Sequence, residues 1–193
     1  MHQSTGNELP SPDQCHRLLR KYDVPDHIIR HSEAVARVGV FLAERLNAAG
    51  ESLDLGVIEA AGLLHDITKM EGITSRRDHA GTGEALLTKL GFTKIGEIVG
   101  EHIRLRADRE TSRIREAEII NYSDKRVMHD QIVTLKERFI DLRDRYGLNG
   151  LDKNATARIK AHQGKAFELE RKIFSKLDFA PEELLQQMEI ASL

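Results

Sequence analysis

The amino-acid sequence predicts an all-α protein, an expectation that three observations carry. Apolar residues recur every three or four positions through successive segments. Those segments are set off by glycine, proline and cap-forming residues. No run shows sustained alternation, and no hairpin dipeptide joins two β-like stretches.

Taken in order, Ser11 reads as an N-cap with Pro12 at the first helical position, predicting a short helix to about Lys21. A longer helix follows Val24-Pro25, with Ile28, His31, Val35, Val38 and Leu42 on one face and Gly50 at its end. Asp54 caps the next helix, which runs from Leu55 through Ala60, Ala61, Gly62, Leu63 and Leu64 into the doublet His65-Asp66. Gly72 and the charged stretch Ser75-Arg76-Arg77-Asp78 read as a loop. His79 then opens a helix carrying Ala85, Leu86, Leu87 and Leu90.

Gly91-Phe92-Thr93 reads as a turn with Thr93 as the cap of a helix presenting Ile95, Ile98, Val99, His102 and Ile103. A charge-dense loop from Arg104 to Arg109 precedes a helix with Ala117, Ile120, Asp124 and Val127 at helical spacing. Two amphipathic helices follow. One shows Ile132, Leu135, Phe139, Leu142 and Tyr146 and stops at Gly147; the other shows Ile159, Ala166, Leu169, Ile173 and Leu177. A last short helix begins at Pro181, with Asp178 or Ala180 before it.

Composition bounds the function. With 193 residues, 40% hydrophobic and 31% charged, the chain can bury a core, and its net charge of -2 argues against an electrostatic nucleic-acid binder. The single cysteine, Cys15, forms no internal disulfide, which fits a reducing compartment, and it lies far from the other candidate site residues. No apolar run approaches a membrane span, and Met1 to Pro12 lacks a signal-peptide core, so that segment reads as a flexible leader and the protein as cytoplasmic.

His31, His102 and Asp124 lie where their helices should face the core. Each alone reads as a hydrogen-bonded core residue or, for Asp124, a salt bridge with Lys125 or Arg126. Ionised carboxylates are rarely buried without a partner or a metal. Together with His65-Asp66 these residues have the makings of a metal site inside a helical bundle.

The order His31, His65-Asp66, Lys69, His102, Asp124 resembles the HD superfamily of metal-dependent phosphohydrolases over roughly Ile28 to Met128. Asp78-His79 followed by small residues is similar to that family's histidine-led helix start. The resemblance implies an HD-domain helical bundle over residues 13–130 after the leader at 1–12. The helices of 131–193 would pack on the same domain or form a dimer surface. It implies one or two divalent transition-metal ions (Mn, Fe, Co, Ni or Zn), with His31, His65, Asp66 and Asp124 as ligands of the first. His79 and His102 match the additional histidines of two-metal members, in which Asp66 bridges.

The implied reaction is hydrolysis of a small phosphorylated substrate, a nucleotide or related phosphoester, with no nucleic-acid or membrane partner. Asp66 would orient water or take a proton, and Lys69 would neutralise phosphate charge; alternatively Lys69 is a cation at a helix C-terminus. Arg76, Arg104 and Arg106 are the expected substrate-binding arginines, with Arg77 and Arg109 as further candidates. The segment Ile103 to Asp108 departs from the threonine- and glycine-containing segment of HD-type diadenosine tetraphosphate hydrolases. A di-iron oxygenase and a non-catalytic ligand-binding module are the alternatives.

Overall fold

The structure, a computed structural model, describes residues 9–75, 77–106, 112–146 and 155–192. Residues 1–8 of the expected leader, Arg76, Arg109 and the expected helix stop at Gly147 lie outside the described residues. Among the described residues the chain is all-α apart from one hairpin of two two-residue strands. Helices α1 (Pro12–Lys21), α2 (Asp26–Ala48) and α3 (Leu55–Leu64) form the first layer. Short α4 (Lys69–Ser75) leads into the pair α5 (His79–Lys89) and α6 (Thr93–Gly100). Helix α7 (Glu116–Lys125) returns across α2 and α3, followed by β1 (Val127–Met128) and β2 (Gln131–Ile132). Helices α8 (Leu135–Tyr146), α9 (Ala155–Phe174) and α10 (Leu184–Ala191) complete the chain, with a 3-10 turn at Pro181–Glu183 before the last. No helix among the described residues is long and apolar enough to cross a membrane.

Local chemistry sets the helix starts. Ser11 Oγ accepts from the Gln14 amide while the Gln14 side chain accepts from the Ser11 amide, a reciprocal capping box. Asp54 Oδ1 accepts from the Val57 amide at 3.1 Å, and Asp78 Oδ1 from the Ala80 amide at 3.1 Å. The second cap fixes where α5 begins and hence where His79 stands.

The apolar faces meet as the spacing requires. Val35, Val38 and Leu42 of α2 are buried against Ile58, Ala61 and Leu64 of α3 and Ile119 and Ile120 of α7. The α2–α3 approach is close because Gly62 faces Ala36, where a Cβ would come within 2.7 Å of the Ala36 Cα. Any side chain at Gly62 would push apart α2, which carries His31, and α3, which leads into His65.

The C-terminal helices are tied to this core by polar contacts. Arg126 is buried and donates to the Val133 carbonyl at 2.6 Å, to the Pro181 carbonyl at 2.9 Å and to the Tyr122 hydroxyl. Tyr122 in turn donates to Glu170 of α9 at 2.7 Å. Lys172 pairs with Glu118 at 2.7 Å, and Lys176 pairs with Glu51.

Several boundaries differ from the sequence expectation. Lys69 to Ser75 is helical where Gly72 suggested a loop, because Thr68 and Gly72 let α4 pack against the start of α5. Phe92, not Thr93, is the cap residue of α6. That helix stops at Gly100, so His102 lies in the following turn. Val127 and Ile132, placed on helices by their spacing, face each other across the β1–β2 hairpin. A two-residue strand is too short for alternation to show in sequence.

Candidate metal centre

His65 and Asp66 lie just past the end of α3, in a tight turn rather than within a helix. The Ile67 amide donates to the Leu64 carbonyl and the Lys69 amide to the Asp66 carbonyl, both over three residues. Thr68 Oγ1 donates to the His79 carbonyl at 2.8 Å and accepts from Thr82 Oγ1 at 3.0 Å, fastening this turn to α5. Gly72 completes the joint, since a Cβ there would meet the His79 Cβ at 2.7 Å.

The six expected ligands converge as two triads. His31, His65 and Asp124 bring one ligand atom each within 4.8 Å of one another, and Asp66, His79 and His102 do the same. Asp66 joins them. Its Oδ2 lies 3.3 Å from His65 Nε2 and 3.9 Å from His31 Nε2, while its Oδ1 lies 3.3 Å from His79 Nε2 and 3.7 Å from His102 Nε2. One carboxylate thus turns an oxygen to each triad.

The histidine tautomers follow from their partners. Nδ1 of His31, His65 and His102 each meets a backbone carbonyl, of His129 at 2.7 Å, Gly62 at 2.8 Å and Val99 at 2.6 Å. A carbonyl only accepts, so each Nδ1 carries the hydrogen and, in the neutral ring, Nε2 presents a lone pair. His129 offers its carbonyl from a positive φ of 58°, a conformation that costs a non-glycine residue energy. His31 Nε2 then faces an acceptor, Asp124 Oδ1 at 3.2 Å, and His102 Nε2 lies 3.2 Å from His79 Nε2. His65 Nε2 is buried with no hydrogen-bond partner among the described residues.

Acceptors aimed at one another inside a protein need a positive species between them, a proton or a metal ion. Imidazole and carboxylate together suit a divalent transition metal. The residues therefore fit such an ion, and the chain has His/Asp groups that could hold one.

Electrostatics describe the same site without an ion. Burial alone would depress His65, but the charges of Asp66 and Asp124 outweigh it and lift its pKa above the usual value. Burial opposes the charge on Asp66, yet His65, His79 and Lys69 hold its carboxyl well below the ordinary range. Asp124 is likewise held low against burial, by His31, Lys125 and His65. Burial and the neighbouring His65 bring His102 down to about 4, so it stays neutral at physiological pH.

Lys69 opens α4 rather than closing a helix, and its ammonium sits 2.5 Å from Asp66 Oδ2. A cation at a helix N-terminus is disfavoured by the dipole, so Asp66 is what holds it there. The arginines next to His102 in sequence go elsewhere. Arg106 is exposed and pairs with Glu84. Arg104 lines a small pocket with Lys125, His162 and Lys165. Arg77 is exposed in the turn before α5.

Two residues hold this turn in place: Asn121, which was not picked out from the sequence, and Lys125, which was expected only as a salt-bridge partner of Asp124. Asn121 donates to the carbonyls of Glu101 and His102 at 3.0 and 2.9 Å, and Lys125 donates to the His102 carbonyl at 3.2 Å. Together they pin the turn that carries His102. Asn121 lies three residues before Asp124 on a buried face, and that was the available signal.

Against known families, the HD domain model matches residues 28–129. A protein of Thermoplasma volcanium named tRNA (cytidine(56)-2'-O)-methyltransferase is 35% identical over 98 residues, 49% of this chain and 26% of that one. Its namesake in Picrophilus torridus is 30% identical over 165 residues, 79% of this chain and 45% of that one. The chain thus spans less than half the length of these curated relatives. No solved structure matches it.

Proposed function

The chain belongs to the HD-domain family, and from that premise we propose that it is a metal-dependent phosphohydrolase acting on a nucleotide or related small phosphoester. The observation that carries this reading is the Asp66 carboxylate, one oxygen turned to each of two histidine-containing triads. His31, His65 and Asp124 would hold one divalent ion, His79 and His102 a second, and Asp66 both. Such ions, when bound, make water acidic enough to ionise near neutral pH and stabilise negative charge on phosphoryl oxygens.

The chain's own residues supply the rest. The backbone carbonyls behind His31, His65 and His102 fix each ring with its Nε2 free to bind. Asp66, held ionised by its neighbours, can orient a water or accept its proton. Lys69 is a third exposed at its side chain, and its ammonium stands at the rim where a phosphate would arrive. There it offsets charge on the phosphoryl group.

The test is phosphate release by purified protein loaded in turn with Mn, Fe, Co, Ni or Zn, across nucleoside mono-, di- and triphosphates. Metal-dependent release abolished by chelator is expected; silence with every metal and substrate would refute the reading. Iron-dependent oxygen consumption without phosphate release would favour the oxygenase chemistry instead.

The names of the relatives favour a second reading, action on tRNA. On that reading the chain transfers a methyl group to a cytidine 2'-oxygen, an in-line displacement at carbon that makes no use of the two triads. Transfer of labelled methyl from S-adenosylmethionine to tRNA by this chain would establish it.

A further inference from the structure

Beside the triads lies a second pocket of about 420 Å³, which His31 and Lys69 share with the candidate metal centre. Its other polar walls are His27 and Arg30 of α2, Arg138 and Arg145 of α8, and His129 and Asp130 of the hairpin turn. Arg30 pairs with Asp130 at 3.4 Å, and Asp141 pairs with Arg138 at 3.2 Å and with Arg145. Arg138 Nε is buried and has no hydrogen-bond partner among the described residues. A buried donor without an acceptor is costly, and an arginine fork suits phosphate oxygens. Met70 and Ile73 of α4, 44% and 64% exposed, give the same pocket an apolar wall.

We propose that this pocket binds a second phosphate of the substrate, one that is not cleaved, with Arg138 as the residue that selects for it. The inference rests on the hydrolase reading for its substrate but not for its geometry. The two phosphates would sit on either side of Lys69, one over the triads and one among the arginines. A substrate with two or more phosphates, such as a nucleoside diphosphate or bisphosphate, satisfies both. Arg138 lies beyond the stretch matched by the family, so it is a property of this chain's C-terminal helices.

Two measurements test this separately. In the first, inorganic phosphate is titrated into the full chain in excess EDTA, so that no metal contributes. Wild type and the remote surface variant Arg20→Gln are expected to bind alike, Arg138→Gln about tenfold or more weakly, and Arg138→Lys in between. In the second, kcat and KM are compared for a nucleoside monophosphate and the matching bisphosphate. Arg138→Gln should raise KM about tenfold for the bisphosphate and by less for the monophosphate, while Arg20→Gln changes neither. No phosphate binding in EDTA, or equal binding by Arg138→Gln with an unchanged melting curve, would overturn the proposal. Arg138-dependent binding without any hydrolysis would uphold the pocket and sink the hydrolase reading instead.

Discussion

Replacing Asp66 by asparagine gives the sharpest contrast the site offers. The amide keeps the shape but loses the charge, and one of its two ends becomes a donor that cannot ligate. In the ion-free protein Asp66 faces His65 at 3.3 Å and Lys69 at 2.5 Å. Lys69 is a third exposed, so its share of the loss is screened and small. His65 can shed its proton once the carboxylate is gone. The expected destabilisation of the ion-free form is therefore modest, about 1–3 kcal/mol, or roughly 2–12 °C in melting temperature for a chain of this size.

Metal loading should change far more. Asp66 serves both triads, so Asp66→Asn should bind neither ion tightly, whereas His79→Ala should lose one ion and keep the other. Loss of hydrolysis by at least about 1000-fold, equivalent to about 4 kcal/mol, is expected for Asp66→Asn. Metal content per chain by mass spectrometry after gel filtration, with phosphate release in parallel, reads both effects. An Asp66→Asn protein that still carries two ions per chain would refute the bridging arrangement.

Metal uptake should be pH-dependent with a definite sign. The raised pKa of His65 means that its proton competes with the ion, so apparent affinity should rise with pH until His65 has titrated and then level off, with proton release measurable by calorimetry in two buffers. His102, at about 4, should add nothing to that slope above pH 5. For stability without metal the signs divide. The contribution of His65 is present in acid and lost as pH rises through its folded pKa; those of Asp66 and Asp124 are present above the ordinary carboxylate range and lost as pH falls below it. Arg126→Ala leaves Glu170 buried without its cation and should cost about 3–5 kcal/mol, read by urea unfolding; a loss under 1 kcal/mol would contradict the buried clamp. Cys15 is fully buried and its thiol is pushed up to about 12 by burial and Glu59, so it should resist alkylation at pH 8 in the folded protein and react fully in denaturant.

The helices were legible because their periodicity is local: Ile28, Val35, Val38 and Leu42 announce a face that α2 does bury. The convergence of His31 and Asp124 was legible because both are polar residues at apolar positions, and the structure brings them into one group that could hold a metal. The short elements were not. Lys69–Ser75 becomes helical only because Gly72 lets it close on His79, a contact no local pattern announces. The hairpin at Val127–Ile132 holds the His129 carbonyl against His31 across 98 positions of sequence.

The grouping of cations around pockets was hardest to read. Arg104 and Arg106 neighbour His102 in sequence, yet α6 ends at Gly100 and the turn points them to Lys125 and His162 on one side and Glu84 on the other. Arg30 and Arg138 are more than 100 positions apart, yet both line one pocket. A sequence shows such residues as ordinary solvated charges until the fold is known.

The most direct test of the central claim is a crystal structure of the protein loaded with manganese, with anomalous scattering used to place the ions. Two ions are expected, one among His31, His65 and Asp124 and one between His79 and His102, with an Asp66 oxygen on each. A single ion, or none, would contradict it.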